Sequence, residues 1–165
     1  MAILKVRKYK DPILRKKGSK IKKVDEEIKK IIVDMVQTME KDGGVGLAAP
    51  QVGISKRIIV VDTDLKGQRI LALINPEIIE KSKEKDRDEE GCLSFPGIFL
   101  EIKRSKKVKV KALDINGEKV ELSAQGLLAR VFQHEIDHLD GILFIDRLNI
   151  LKRILFKLKH FNGFN

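Results

Sequence analysis

The sequence predicts a single α+β domain: antiparallel strands packed around a central helix, with one helix before them and one after. Three observations carry this. Apolar residues recur at helical spacing over 28–39, a β-rich middle follows, and two further helical patterns close the chain. At 165 residues the chain suits one core. The domain is taken as 1–165, with 149–165 as a basic C-terminal helix.

The first helix starts at Asp25, whose side chain can cap the N-terminus. Ile28, Ile31, Ile32, Met35, Val36 and Met39 form its stripe, and Gly43-Gly44 end it. The methionines on this stripe read as core filler. Strands are expected over 57–62 and 69–74, rich in Ile, Val and Leu, with Asn75-Pro76 as a turn or strand end. Residues 107–113 alternate Lys and Val, which reads as a half-exposed strand. Asp114-Ile115-Asn116-Gly117 is a hairpin turn into a strand over 118–122. A helix is expected from about Ala124 to Leu139, then a short apolar segment over 142–145, then a basic amphipathic helix from Asn149.

Charge and composition exclude several classes. Hydrophobic residues make up 42% and charged residues 35%, too apolar for a disordered chain and too charged for a membrane protein. No apolar run approaches the ~18 residues of a membrane span. The first residues lack the apolar block of a secretory signal, and Cys92 is the only cysteine, so the expected compartment is the reducing cytoplasm. The net charge of +10 is uneven: 1–23 carry +9, 147–165 carry +5, and 24–146 carry −4. Basic ends read first as solvated surface, and alternatively as a contact with a phosphate-rich partner such as RNA. With no Trp and one Tyr, base stacking and DNA readout are not expected.

The sharpest chemical signal is His134-Glu135-Ile136-Asp137-His138. Residues four apart share a helix face, so both imidazoles can reach one metal, with Glu135 beside them to take a proton from water. A catalytic metal usually has three protein ligands. A His ten residues after His134 would supply one, but that position is Phe144; a Glu some twenty residues beyond His138 is also missing. Cys92, in Glu90-Gly91-Cys92-Leu93-Ser94, and His160 remain as candidates for the third ligand. A third element, Gly43-Gly44-Val45-Gly46-Leu47-Ala48-Ala49-Pro50-Gln51, permits close backbone approach to a ligand but lacks the Lys-Ser/Thr of a phosphate loop.

Together, Gly44–Gln51, Glu90–Ser94 and Gln133–His138, with the early Asp11-Pro12-Ile13-Leu14-Arg15, resemble the peptide deformylase family in order and spacing up to about Leu148. The resemblance implies removal of the N-formyl group from the formylmethionine of nascent proteins, with release of formate. It implies Cys92, His134 and His138 as metal ligands and Glu135 as proton carrier. The Gln51 amide and the Leu93 backbone N–H would stabilise the oxyanion. Gly46 would lie beside the substrate backbone, Glu90 behind the ligands, and Val45, Leu127 and Val131 around the methionine side chain. The implied cofactor is one divalent ion, Fe2+ in cells, with Zn2+, Ni2+ or Co2+ as substitutes. The implied partners are N-formylmethionyl nascent peptides, with no DNA and no membrane.

Two positions depart from the family pattern. Phe99 stands where some members carry Arg, and Arg130 stands where an apolar residue is common, its long stem expected to turn outward. In the tail, Ile150, Leu151, Ile154, Leu155 and Leu158 form an apolar stripe beside Arg147, Lys152, Arg153, Lys157 and Lys159. Two readings stand for this helix: a terminal cover for the core with its lysines solvated, or an apolar face docked on the body with its cations offered to the ribosome. The rival readings are another metal-dependent amide hydrolase and a non-enzymatic, metal-containing module of the ribosome.

Overall fold

The structure is a computed structural model that describes residues 2–64, 67 and 69–161, the side chains of Lys157 and Phe161 excepted. Helix α1 spans Glu26–Lys41, α2 spans Gly126–Leu139 and α3 spans Ile150–Phe161. Strands are β1 (Gly46–Ala48), β2 (Ile58–Asp62), β3 (Ile70–Lys81), β4 (Lys85–Cys92), β5 (Phe95–Ser105), β6 (Lys107–Leu113) and β7 (Lys119–Gln125). Residues 162–165 of the expected tail lie outside the described residues.

Five strands form one antiparallel sheet in the order β1-β2-β3-β6-β7, while β4 and β5 form a separate ribbon. The continuous apolar run of β2 follows from its place in that sheet. Ile59 and Val61 pack in the cluster of α2 with Phe132, Ile136 and Leu139. Ile58 and Val60 pack with Ile28, Ile32, Met35 and Met39 of α1. A strand covered on both faces has no polar side to alternate with. The two methionines of the stripe are fully enclosed core residues.

α1 begins as expected, with the Asp25 carboxylate accepting from the Ile28 N–H. Its end is closed by Gly43, at φ +66°, while the Gly44 N–H donates to the Met39 carbonyl. The hairpin turn also forms: the Asp114 carboxylate accepts from the N–H groups of Asn116 and Glu118, and Gly117 sits at φ +82°.

Within the sheets two expectations need correction, and one pair of strands was not foreseen. Asn75-Pro76 does not end a strand, because β3 runs on to Lys81 with an irregularity in its pairing to β6 between Ile74 and Glu77. There Asn75 takes φ +53°, and its side chain exchanges two 2.8 Å hydrogen bonds with the Ile21 backbone. The side chain ties this irregular stretch to the Ile21 segment, and the strand resumes its pairing at Glu77 beyond the proline. α2 starts at Gly126 rather than Ala124, because Ala124 and Gln125 still pair with Val108 and Lys107. The ribbon of β4 and β5 carries no apolar alternation in its first strand, Lys-Asp-Arg-Asp-Glu-Glu-Gly-Cys, and sequence reasoning missed it.

The last helix departs most. Its stripe, expected to dock inward, faces out: Ile150, Leu151, Ile154, Leu155 and Leu158 are all exposed. Phe156, on the other side, is the residue that enters the core, with Leu14, Phe95, Ile102 and Phe144. Arg153 on that inner side lies 3.9 Å from the Asp146 carboxylate. One bulky aromatic and an ion pair therefore orient the helix, against its own amphipathic pattern.

Candidate active site

α2 lays His134, Glu135 and His138 against the sheet, all buried. The ribbon brings the thiol. A shift in pairing between Gly91 and Cys92 turns the end of β4, and Cys92 Sγ comes 3.3 Å from His138 Nε2. Ligating atoms of Cys92, His134 and His138 all lie within 4.8 Å of one another. His160, the other candidate ligand, instead stacks on Phe156 with ring centroids 4.7 Å apart.

The ring of His134 is fixed from behind. Its Nδ1 lies 2.9 Å from Glu90 Oε2, which leaves Nε2 for the site. Glu90 is held in turn by the Arg104 fork, Nε to Oε1 at 2.9 Å and Nη2 to Oε2 at 3.0 Å, and by Arg130 Nη1 at 2.8 Å from Oε1. Arg104 also bonds Asp137, which accepts from Arg147. Burial raises the Glu90 carboxyl, but hydrogen bonds from His134 and Arg104 outweigh it and hold the group far below the usual carboxylate range. Arg130 corrects an expectation. It does not turn outward but is buried, because Glu90, the Ile102 carbonyl and Asp86 satisfy its guanidinium inside. Arg104, Arg130 and Asp137 were missed as site residues. No local pattern marks them, since they come together with Glu90 only when the ribbon packs on α2.

Gln51 and Gly46 reach the site from the glycine-rich segment. The Ala48 N–H donates to Gln51 Oε1 at 2.8 Å, which orients the amide so that Nε2 points to Cys92 Sγ at 3.5 Å. Gly46 lies on the sheet's edge strand, under α2. A Cβ there would meet Glu135 Oε1 at 2.6 Å and Val131 at 2.9 Å, so any side chain at this position displaces one of them. A cavity of about 570 Å3 opens over these groups. Val45, Gly46, Gln51, Glu90, Leu93, Leu127, Val131 and Phe99 all line it, with Cys92, His134 and Glu135. Val131 is buried, whereas Val45, Leu127 and Phe99 are exposed at the wall.

The donors fit a divalent ion. One thiol and two imidazoles suit a borderline metal, and three protein ligands leave a position open. Burial holds His138 well below its ordinary value, so its ring is neutral and able to coordinate. Glu135 Oε2 is buried without a hydrogen-bond partner, beside these donors, which marks where a further polar species belongs. Burial also pushes the Glu135 carboxyl up to about 7.

Residues 3–154 match the model of the polypeptide deformylase family. The chain belongs to that family. It is therefore a hydrolase of protein biosynthesis that removes the N-formyl group from nascent peptides. The enzyme is 52% identical to the peptide deformylase of Thermodesulfovibrio yellowstonii over 161 residues, covering 96% of this chain and 97% of that one. It superposes on the crystal structure of the Thermotoga maritima peptide deformylase with TM-score 0.86 at 52% identity, covering 90% of this chain and 99% of that one. A peptide deformylase from Synechococcus elongatus, crystallised with actinonin, gives TM-score 0.88 at 43% identity, covering 94% and 86%. Among the described residues, no helix is long and apolar enough to cross a membrane.

Proposed function

We propose that the enzyme hydrolyses the formyl amide of N-formylmethionyl peptides in the cavity over Cys92, His134 and His138, with these three side chains as metal ligands. The observation that carries this is the unpartnered Glu135 Oε2 beside three convergent donors. A divalent ion held there supplies Lewis acidity and activates water near neutral pH. Iron in cells, with zinc, nickel or cobalt as substitutes, fits the mixed donor set.

Glu135 then accepts a proton from the attacking water and delivers it to the leaving amine. Burial raises this carboxyl and a bound cation would pull it back toward the charged form, which leaves Glu135 able to take up the proton and release it again. The water oxygen ends in formate and the carbon–nitrogen bond breaks. Gln51 Nε2, aimed at Cys92 by the Ala48 N–H, donates to the developing oxyanion, together with the Leu93 backbone N–H. Glu90 keeps the His134 ring in place. Gly46, on the edge strand, lets an extended peptide lie close alongside, and Val45, Leu127 and Val131 take the methionine side chain.

The natural compartment is the cytoplasm, where nascent chains emerge and a single cysteine stays reduced. Ribosome contact falls to α3. Its outward aliphatic stripe meets a ribosomal surface directly, with Lys152 and Lys159 beside it.

Formate release from a formyl-Met peptide, measured with metal content on the same sample, tests the reading. Glu135→Ala is expected to keep its metal and lose at least about a hundredfold in kcat. Near-normal kcat in metal-replete Glu135→Ala removes Glu135 from the mechanism.

A further inference from the structure

Glu90 has four acceptor directions, and the structure fills all four. Oε1 accepts from Arg104 Nε and Arg130 Nη1, and Oε2 from Arg104 Nη2 and His134 Nδ1. The Arg104 fork alone defines the carboxylate plane but leaves two directions free, one on each oxygen. Arg130 closes the one on Oε1, and the remaining one faces His134.

Arg130 does more than fill a lone pair. It stands four residues before His134 on the same face of α2. Its Nη1 also donates to the Ile102 carbonyl of β5 at 2.8 Å, and its Nη2 to Asp86 Oδ1 of β4 at 2.7 Å. One guanidinium therefore ties the helix bearing both histidines to both strands of the ribbon bearing Cys92. Asp86 is the partly exposed outer end of this tie, with its side chain 43% exposed, while Arg130 itself is buried.

We infer that Arg130, braced by Asp86, is a positioning residue: it sets the distance and angle between the Cys92 thiol and the two imidazoles. The inference rests on the reading of Cys92, His134 and His138 as metal ligands. Arg130 touches none of the three. It acts through Glu90 and through the seat of the ribbon against α2. Loss of a group supporting a metal ligand commonly weakens metal affinity about 10- to 100-fold. Arg130 stands one step further out than Glu90, so a loss of about tenfold is expected.

The test is Zn2+ affinity of the full chain by chelator competition, with the absorption of the Co2+-loaded protein as a record of thiolate and imidazole geometry. Arg130→Met is expected to bind Zn2+ about tenfold more weakly, to shift the Co2+ spectrum, and to lower kcat with KM little changed. Arg130→Lys keeps the charge but not the fork, and is expected to recover only part of the affinity. Should Arg130→Met fail to fold, Asp86→Ala removes only the outer brace and is expected to weaken Zn2+ binding about threefold. Zn2+ affinity and Co2+ spectrum equal to wild type in Arg130→Met, or in Asp86→Ala where the former is unfolded, overturn the inference, whatever happens to the melting temperature. A wild-type protein that binds no Zn2+ overturns the metal-ligand reading itself and this inference with it.

Discussion

Replacing Glu135 by Gln is expected to stabilise the metal-free enzyme while abolishing its turnover. Glu135 is buried, one of its oxygens has no partner, and burial lifts its carboxyl from 4.5 to about 7. The sign follows from proton linkage. Between these two values the folded state holds a proton that the unfolded state has released, so stability falls as pH rises. The loss starts near pH 4.5 and is complete above about pH 7. A difference of about 2.5 pKa units at 1.36 kcal/mol each amounts to about 3 kcal/mol. Glutamine keeps the shape and removes the titration. Urea unfolding of metal-free wild type and Glu135→Gln from pH 4 to pH 8 gives the difference at each pH, in which titrations of groups not coupled to Glu135 cancel and the coupled His134 contributes to the remainder. The gap is expected to widen by about 3 kcal/mol in favour of the variant. A gap that stays constant with pH refutes the view that Glu135 is charged at a cost. Saturating metal is expected to narrow the gap, since a nearby cation favours the carboxylate.

Other consequences follow from packing. Gly46→Ala puts a methyl 2.6 Å from Glu135 Oε1, so Glu135 must move; kcat is expected to fall about tenfold or more, with metal content unchanged, since misplacement by an ångström can cost that much. Phe156→Ala opens the cluster of Leu14, Phe95 and Phe144 and is expected to cost about 3 kcal/mol by urea unfolding. Truncation after Leu148 would remove this anchor too, so the tail is better tested by Leu151→Ser, Leu155→Ser and Leu158→Ser together. The triple variant is expected to lose salt-dependent co-sedimentation with ribosomes yet keep full activity on a short formyl-Met peptide. Equal co-sedimentation refutes a ribosomal role for the stripe.

The sequence by itself determined the elements whose signals are local. Asp25 and Gly43 close α1 with hydrogen bonds inside a few residues, and Asp114 and Gly117 build their turn alone. The spacing of His134 and His138 put two imidazoles on one helix face, because helical pitch decides it. Tertiary structure decided what depends on distant partners. Between Cys92 and His160 as the third donor, only the turn at the end of β4 brings one within reach of His138. β4 is a strand of charges, illegible as a strand until Arg104 and Arg130 arrive from β5 and α2 to neutralise its buried Glu90. The direction of α3 likewise could not be read from its stripe. Five aliphatic residues argued for burial, but the surface beneath had a socket for Phe156 and a carboxylate for Arg153, and these set which side faces in. Periodicity reports that a helix has an apolar face; the shape of the surface it meets decides where that face points.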